Sequence, residues 1–283
     1  MHFANPMQMQ RALAAAAVLA AVVSVAGAAE PAKVALVVCS PGSPGTTDEA
    51  QPRMDAFAAA VAAKAGTPLE AVYEPSDGAG ASHLKSAGAG LVSLPFFLKH
   101  EQELGLRPRL QAVGKGRPPL DRWALVGAKG RIKTADDLAG LSIVTSVAFA
   151  PEFVRGVVIG GLGPLPPNAK LVQSTSVLSS LRRAANGEPV AVVLDGTQEA
   201  SLGTLPFAAK LEVATRSPPV PVALVVTAGE RIPAKTWSAI EAALVGLAGD
   251  QAAALQAIEL ERFAPLDEKS LDTARKSYAG ASK

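Results

Sequence analysis

Hydroxyl side chains follow several apolar runs of strand length, and such side chains can hydrogen-bond a small polar or anionic solute. They occur at four places: Ser40 with Ser43, Ser93, Thr145 with Ser146, and Ser174 with Thr175. At a helix start, free backbone N–H groups and the positive end of the helix dipole also favour an oxyanion. Ser and Thr are common at helix starts for purely structural reasons, so each place alone is weak evidence. The prediction is that all four places surround one crevice.

A single carboxylate, Asp195, directly follows the apolar run Val190 to Leu194. It could accept a hydrogen bond from a ligand amine or from a protonated ligand oxygen. It could instead cap the next helix, because Asp is a preferred N-cap residue. We place Asp195 among the ligand-binding candidates and keep the capping role as the alternative.

Residues for catalysis or metal binding are sparse. After the N-terminal segment the histidines are His83 and His100, both expected in surface segments, and there is no Gly-x-Ser-x-Gly nucleophile elbow. The one cysteine, Cys39, ends an apolar run and is expected to be a buried thiol without a disulfide partner. These residues lack the spacing of metal ligands. We therefore predict no enzyme activity, no catalytic residues, no metal and no cofactor.

The charge balance argues against nucleic acid as a partner. The 283-residue chain has 27 basic and 25 acidic residues, for a net charge of +2, and no basic run. Two Trp and two Tyr residues offer few surfaces on which bases could stack.

The N-terminal segment has the pattern of a secretory signal. Arg11 is the only charged residue before Glu30, residues 12–25 are almost wholly apolar, and Ala26-Gly27-Ala28 is a small-x-small cleavage site. A transmembrane anchor is the alternative, but the run is shorter than the about 20 apolar residues that span a bilayer. No cysteine stands at the cleavage site to accept a lipid. We expect residues 1–28 to be a cleavable signal peptide and the remaining chain to be periplasmic, without a lipid anchor.

Apolar runs of strand length alternate with stretches of helical period, which is typical of α/β layers with a largely parallel sheet. The first such unit is a strand from Lys33 to Val38, the loop SPGSPGTT, and a helix that we expect Thr47 to cap. The next stretch, EPSDGAGASHLKSAG, is either a loop or a short helix. Further strands are predicted at 69–72, 89–93, 122–126, 141–144, 170–173 and 190–194, and a helix at 151–160.

Two stretches are predicted to carry the chain between two lobes. The first, GKGRPPLDRWALVGAKG, shifts to Gly, Pro and charge before a strand resumes. In the second, RSPPVPVALVV, prolines interrupt a strand-like run as only an edge or a bend allows. We predict that lobe 1 consists of residues 29–118 and 219–283 and that lobe 2 consists of residues 119–218, with hinge crossings between them.

The stretch IKTADDLAGLSIV, Ile132 to Val144, places a single capped helical turn before a buried strand. Thr134 is expected to cap the turn and Gly140 to end it. The strand then delivers Thr145 and Ser146 at its carboxyl end. Ligands of open α/β sheets bind at the carboxyl ends of strands, so the predicted site lies there.

Four stretches make the chain resemble a type II periplasmic solute-binding protein of an ABC importer, most of all the phosphate/phosphite/phosphonate-binding subfamily. These are IKTADDLAGLSIV, SLRRAANGEPVAVVLDG, RSPPVPVALVV, and RIPAKTWSAIEAALVGL before ERFAPLDE. The resemblance implies an α/β fold of two lobes, each a mainly parallel sheet flanked by helices, joined by two hinge crossings. It also implies capture of a small polar or anionic solute by hinge closure, and an ABC permease in the inner membrane as partner. A clamshell of this kind closes without a second copy, so we expect a monomer.

The same resemblance assigns residues. It implies that Thr145 and Ser146 stand where the hydroxyls of the subfamily take the anion, and that Asp195 matches its carboxylate. Two departures leave the identity of the solute open. Ser174 and Thr175 stand where the subfamily has a histidine, and Leu94-Pro95 stands after the third strand, where an aromatic pocket wall is expected, with no Tyr near it. The alternative function is a solute-binding sensor, or a degenerate binding-fold protein, that serves a membrane partner other than an importer.

Overall fold

The computed structural model describes residues 33–43, 45–247 and 252–281. The predicted signal peptide lies outside these ranges. Within them, no helix has both the length and the apolar character that a membrane crossing requires.

Strands and helices alternate along the described chain. The strands are β1 (Val34–Cys39), β2 (Leu69–Glu74), β3 (Ala89–Ser93), β4 (Leu106–Gly114), β5 (Leu120–Asp121), β6 (Ala124–Ala128), β7 (Ser142–Thr145), β8 (Lys170–Gln173), β9 (Val190–Leu194), β10 (Leu211–Arg216), β11 (Val220–Pro221), β12 (Ala223–Ala228) and β13 (Leu260–Ala264). The α-helices are α1 (Thr47–Ala65), α2 (Asp77–Ala87), α3 (Leu94–Leu104), α4 (Val177–Ala185), α5 (Gly196–Ala200), α6 (Ala234–Val245), α7 (Ala252–Ala257) and α8 (Glu268–Gly280).

These strands form two separate sheets, which confirms the predicted fold class. The six-stranded sheet of lobe 1 has the order β13-β4-β12-β3-β1-β2, and the five-stranded sheet of lobe 2 has the order β10-β6-β9-β7-β8. Strands β1 to β4 point one way while β12 and β13 run against them. In lobe 2, only β6 runs against its neighbours. Each sheet is therefore mixed rather than mainly parallel as predicted: most strands point one way, but β12, β13 and β6 make antiparallel pairs.

The two hinge crossings lie side by side as a hydrogen-bonded ribbon. Strands β5 and β11 pair antiparallel, with Val220 opposite Asp121. Next to this ribbon, the backbone N–H of Trp123 donates to Ser217 Oγ at 2.9 Å, and the Ser217 N–H donates to the Trp123 carbonyl at 2.8 Å. The two passages of the chain between the lobes are therefore tied to each other.

Helix α1 is capped one residue earlier than predicted. The Thr46 hydroxyl accepts a hydrogen bond from the Glu49 backbone N–H at 3.3 Å, and Glu49 Oε2 accepts one from the Thr46 N–H at 2.9 Å. This reciprocal pair is a capping box, which needs Glu or Gln three residues after the cap. The prediction of Thr47 was wrong because it ignored the position of Glu49.

The stretch between β2 and β3 is a helix. Ser76 caps α2 through a hydrogen bond from the Ala79 N–H, and Gly88 ends the helix with a left-handed backbone. Gly80 lets α2 pack directly on β1, because a Cβ atom at this position would lie only 2.2 Å from Cys39 Sγ.

The largest buried cluster crosses from one lobe to the other. It includes Leu94, Phe96 and Phe97 of α3 together with Phe153 and Val157 of lobe 2. The two sheets are separate, but the two lobes share this hydrophobic core.

The predicted helix at 151–160 is replaced over Phe153–Val158 by a π-helical segment. This segment packs closely against α8, because a Cβ atom on Gly156 would lie 2.1 Å from the Ser277 carbonyl oxygen. Wide π turns are rare and local sequence patterns do not mark them.

Candidate functional site

A crevice with a volume of about 530 Å³ opens between the two sheets. Its walls are formed by Pro41, Gly42, Pro75 and Asp77 of lobe 1 and by Ala148, Phe149, Leu171 and Gln173 of lobe 2. These residues lie in the loops that follow β1, β2 and β7, at the start of α2, or in β8. The crevice is thus at the carboxyl ends of parallel strands, where open α/β sheets bind their ligands.

The predicted hydroxyls of lobe 1 lie at the ends of two adjacent strands. Ser40 Oγ and Ser43 Oγ are 2.8 Å apart and flank the lining residues Pro41 and Gly42. The β1–β3 register pairs Cys39 with Val92, which puts Ser93 next to Ser40.

The hydroxyl of Ser93 is buried and has no hydrogen-bond partner among the described residues. Buried polar groups are normally paired, so an orphan needs an explanation. Ser93 occupies the N-cap position of α3, but its side chain makes no capping hydrogen bond. It is the one predicted residue whose hydroxyl is both buried and unpaired in the described part of the chain.

The predicted hydroxyls of lobe 2 are mostly engaged locally. Thr145 is buried and its Oγ1 accepts from the Val147 N–H at 3.2 Å. The Ser174 hydroxyl accepts from the Ser176 N–H at 3.0 Å. Thr175 is exposed. The β7–β8 register pairs Thr145 with Gln173 and so places Ser146 beside Ser174.

The loop after β1 touches the loop after β7. A Cβ atom on Gly42 would lie 1.9 Å from the Ser146 carbonyl oxygen, so the two backbones are in contact there. The Gln173 side-chain amide donates to that same carbonyl at 2.7 Å. The structure therefore brings the Ser40–Ser43 loop and the Thr145–Ser146 loop together.

None of the eight predicted residues is among the lining residues. Pro41 and Gly42 lie between Ser40 and Ser43, and Gln173 precedes Ser174. A direct contact between these side chains and a solute therefore stays a prediction.

Asp195 adopts the capping geometry that we kept as the alternative. Its Oδ1 accepts from the Gln198 N–H at 2.8 Å, and Gln198 Oε1 accepts from the Asp195 N–H at 3.1 Å. Burial raises the pKa of the Asp195 carboxyl, while the Gln198 and Thr197 N–H groups lower it in part. Gly196 packs against Asp121 of the first crossing, since a Cβ there would lie 1.8 Å from Asp121 Oδ1. Asp195 thus lies beside the hinge.

Sequence reasoning missed a charged cluster on the lobe 1 wall. Asp77, which lines the crevice, bonds Lys99 Nζ at 2.5 Å through Oδ2 and His100 Nε2 at 2.8 Å through Oδ1. The Lys99 ammonium lies 5.7 Å from the centroid of the Phe149 ring across the crevice. A cation in this position interacts favourably with the ring face.

His100 is buried, with 7% of its surface exposed, so the prediction of a surface histidine was wrong. Its ring lies 4.6 Å from that of Phe96, on the apolar face of α3. The spacing of four residues between Phe96 and His100 puts them on one helix face and was the signal available in the sequence. His83, by contrast, is exposed, and its Nδ1 lies 2.7 Å from Glu74.

Phe149 supplies an aromatic wall to the crevice from lobe 2. We had noted the lack of an aromatic residue at Leu94-Pro95, and both of those residues are buried. The aromatic surface therefore comes from the loop after β7, a place that the family resemblance did not suggest.

Burial, together with the nearby Asp77 and Glu74 carboxylates, raises the pKa of the Cys39 thiol to about 12. The thiol is buried as predicted and stays protonated at neutral pH, so it is a poor nucleophile. Burial, Glu152 and Asp77 likewise raise the pKa of Tyr278 to about 12. Among the described residues, no group of three or more His, Cys, Asp or Glu side chains is arranged to hold a metal ion.

Three solved structures have an architecture similar to that of this chain over most of its length. XAC2383 from Xanthomonas citri, solved bound to ATP, has a TM-score of 0.68 at 17% identity over 88% of this chain and 98% of its own. PA3383 from Pseudomonas aeruginosa, a binding protein component of an ABC phosphonate transporter, has a TM-score of 0.64 at 14% identity over 89% and 87%. PhnD1 from Prochlorococcus marinus, in complex with methylphosphonate, has a TM-score of 0.60 at 13% identity over 88% and 99%.

No protein-family model matches the sequence, and no curated protein matches it. The chain has the type II periplasmic binding-protein fold. Within that class its structure is similar to phosphonate-binding proteins, as its sequence motifs implied.

Proposed function

We propose that the chain is the periplasmic substrate-binding component of an ABC importer. It captures a small polar or anionic solute of phosphate or phosphonate type between its lobes and delivers it to an inner-membrane permease. The observation that carries this proposal is the crevice at the carboxyl ends of strands from two sheets, whose connections form one hinge ribbon. The export pattern of residues 1–28 supports the periplasmic location. Both walls come from one chain, so a monomer suffices.

The chemistry of the crevice supports an oxyanion in particular. The orphan hydroxyl of Ser93 and the hydroxyls of Ser40, Thr145 and Ser146 are neutral donors close to the walls. The ammonium of Lys99 lies beside two lining residues and is paired with one of them, Asp77. An ammonium has three N–H donors, so two remain for a solute. Hydrogen bonds from a charged donor to an oxyanion are about twice as strong as neutral ones.

A ligand panel tests the proposal. Purified chain is heated with phosphate, phosphite, methylphosphonate, sulfate or an organic ammonium salt, and the unfolding temperature is measured. A solute present at 100 times its dissociation constant should stabilise the folded protein by about 2.7 kcal/mol. We expect a phosphorus oxyanion to stabilise most. If every solute leaves the unfolding temperature unchanged at high concentration, the chain is not a binding protein for this class.

Variants then test the site. We expect Ser93→Ala and the double variant Thr145→Ala/Ser146→Ala to weaken binding of the stabilising solute about tenfold or more, because each loses hydrogen bonds to a charged group. Ser82→Ala, an exposed hydroxyl on α2, is the matched control and should bind normally. Asp195→Ala separates two roles: a ligand contact predicts weaker binding, whereas a cap predicts only a loss of about 1 kcal/mol of stability. Unchanged affinity in Ser93→Ala, in the Thr145→Ala/Ser146→Ala variant and in Asp195→Ala would refute the assignment of these residues to the binding site.

A further inference from the structure

A second cavity lies at the opposite end of the lobe 1 sheet from the crevice, with a volume of about 360 Å³. It is bounded by the start of β4, the end of β12 and the start of α6. Its lining includes Arg107, Arg109, Thr227, Glu230 and Trp237. A volume of this size is at the lower end of the range of small-ligand pockets, about 300–1,000 Å³.

Both arginines of this cavity have unused hydrogen-bond donors. Neither the Arg107 nor the Arg109 guanidinium makes a hydrogen bond to the described part of the chain; each has only a longer ion-pair contact, at 3.8 Å to Glu230 and 3.7 Å to Glu241. A guanidinium has five N–H donors in a fork that matches phosphate and carboxylate groups. Two forks facing one cavity therefore offer paired donors to a single oxyanion.

A β-bulge places the second arginine. In the β4–β12 register Val225 lies opposite Leu110 and Val226 opposite Pro108, so Arg109 is the extra residue. Pro108 has no backbone N–H to contribute to the ladder, which favours the irregularity at this point. Bulges commonly redirect a side chain. Here the Arg109 guanidinium carbon lies 5.6 Å from the centroid of the Trp237 ring, which holds it at the cavity wall.

The start of α6 adds further positive potential. Pro233 occupies the cap position and makes no side-chain capping bond, and the first turn contains no acidic residue. Pro233 and Ala234 both line the cavity. The first N–H groups of a helix lack intrahelical partners, so this end of α6 presents donors and a partial positive charge to the cavity.

The two carboxylates near the arginines do not occupy the hydrogen-bond donors of the guanidinium groups. The side chain of Glu230 is 86% exposed and contacts Arg107 only at the limit of an ion pair. Glu241 is held by the Trp237 indole, whose Nε1 donates to Glu241 Oε2 at 2.5 Å. Exposed ion pairs of this kind contribute little free energy, so an oxyanion with better geometry can replace them.

We infer that the Arg107–Arg109–Trp237 cavity is a second binding site, separate from the interlobe crevice, for a phosphate group. This group is carried either by a free phosphate anion or by an anionic phospholipid headgroup. The inference does not depend on what the crevice binds.

Trp237 can report on its own cavity. The chain has two tryptophans, so in a Trp123→Phe background the fluorescence comes from Trp237 alone. We expect inorganic phosphate to change this fluorescence in a saturable manner at constant ionic strength, and potassium chloride to leave it unchanged. Saturation must persist in the Thr145→Ala/Ser146→Ala variant, which alters the crevice loop but not this cavity.

Arginine variants assign the signal. Arg107→Gln and Arg109→Gln should each weaken phosphate binding about tenfold or more, because each removes a charge-assisted donor fork. Arg109→Lys keeps the charge but not the fork and should weaken binding less. Arg262→Gln is the matched control, as Arg262 is a partly exposed arginine on the neighbouring strand β13 that pairs with Glu261 instead.

Vesicles identify the source of the phosphate group. Sedimentation with phosphatidylglycerol vesicles, but not with phosphatidylcholine vesicles, and its loss in Arg107→Gln would assign the site to a lipid headgroup. Saturable binding of free phosphate without sedimentation would assign it to a soluble anion. The inference is overturned if neither phosphate nor anionic vesicles bind, or if both arginine variants bind as the parent chain does.

Discussion

Gly42 is one of the residues at which the two lobes touch. Its backbone has φ of +84°, a conformation that L-residues other than glycine adopt at a cost, and its Cα faces the Ser146 carbonyl with no room for a Cβ. Glycine is needed here for two separate reasons, backbone conformation and interlobe contact. The two effects can be separated by substitution.

We predict that Gly42→Ala holds the lobes apart. The left-handed backbone should cost about 1–2 kcal/mol of stability, and the added methyl group should in addition raise the radius of gyration measured by small-angle X-ray scattering. Gly45→Ala is the control, because Gly45 also has a positive φ of +101° but its nearest neighbour, Glu49 Oε2, is 3.7 Å away. It should lose stability without expanding. Equal radii for the two variants would show that the Gly42 contact does not limit closure.

At the residue scale, the sequence predicted where strands end in hydroxyls but not which side chains line the crevice. Asp77, Lys99 and Phe149 meet only because α2, α3 and a lobe 2 loop converge. Asp77 and Lys99 are 22 residues apart, and no local pattern relates them. Ser93 was predicted, but the lack of a partner for its hydroxyl is visible only in the folded chain.

The start of α1 gives the sharpest test at the element scale, because two adjacent threonines compete for one role. We predict that Thr46→Ala lowers the free energy of unfolding by about 1 kcal/mol, since it removes the hydroxyl that accepts from the Glu49 N–H while the backbone bond to Glu49 Oε2 stays. Thr47→Ala should change it by less than about 0.5 kcal/mol, as is usual for substitutions away from such features. Denaturation of both variants in urea measures the difference. A larger loss in Thr47→Ala would mean that the helix begins where the sequence first suggested.

Several elements could be predicted closely and others could not. Strands β8 and β9 were predicted with the bounds that they have, because Pro189 and Asp195 flank β9, and Pro167 and Ser174 lie close to the ends of β8. The short strands β5 and β11 were foreseen only as crossings, since two-residue strands have no periodicity to detect. The π-helical segment depends on the approach of α8 to Gly156, which is a tertiary contact.

At the scale of the molecule, the shared core beneath the hinge makes the two lobes interdependent. Trp123 packs edge-on against Phe153 at 5.3 Å in this core, whereas Trp237 belongs to the core on the other face of the lobe 1 sheet. The two indoles therefore report on different parts of the chain. The sequence could not predict that two separate sheets share one hydrophobic core, because its local patterns describe each lobe by itself.

We predict that the lobes unfold together. Single-tryptophan variants Trp123→Phe and Trp237→Phe, each followed by fluorescence and circular dichroism in guanidinium chloride, should give one transition, with the two probes coincident within each variant. The physical reason is that unfolding lobe 2 alone would expose Phe96 and Phe97 of α3 to water. Fluorescence that changes well before or after the circular dichroism in either variant would show that the lobes are independent folding units.

The pairing of β5 with β11 also bears on how such a molecule can be rearranged. The chain leaves lobe 1 and returns to it at neighbouring points, so the whole of lobe 2 is an insertion whose two ends meet. A cassette that encodes it could be exchanged for another that again covers Phe96 and Phe97 of α3, without rethreading any strand of the host sheet. Recombination at this one ribbon would thus replace one wall of the crevice while leaving the opposite wall intact.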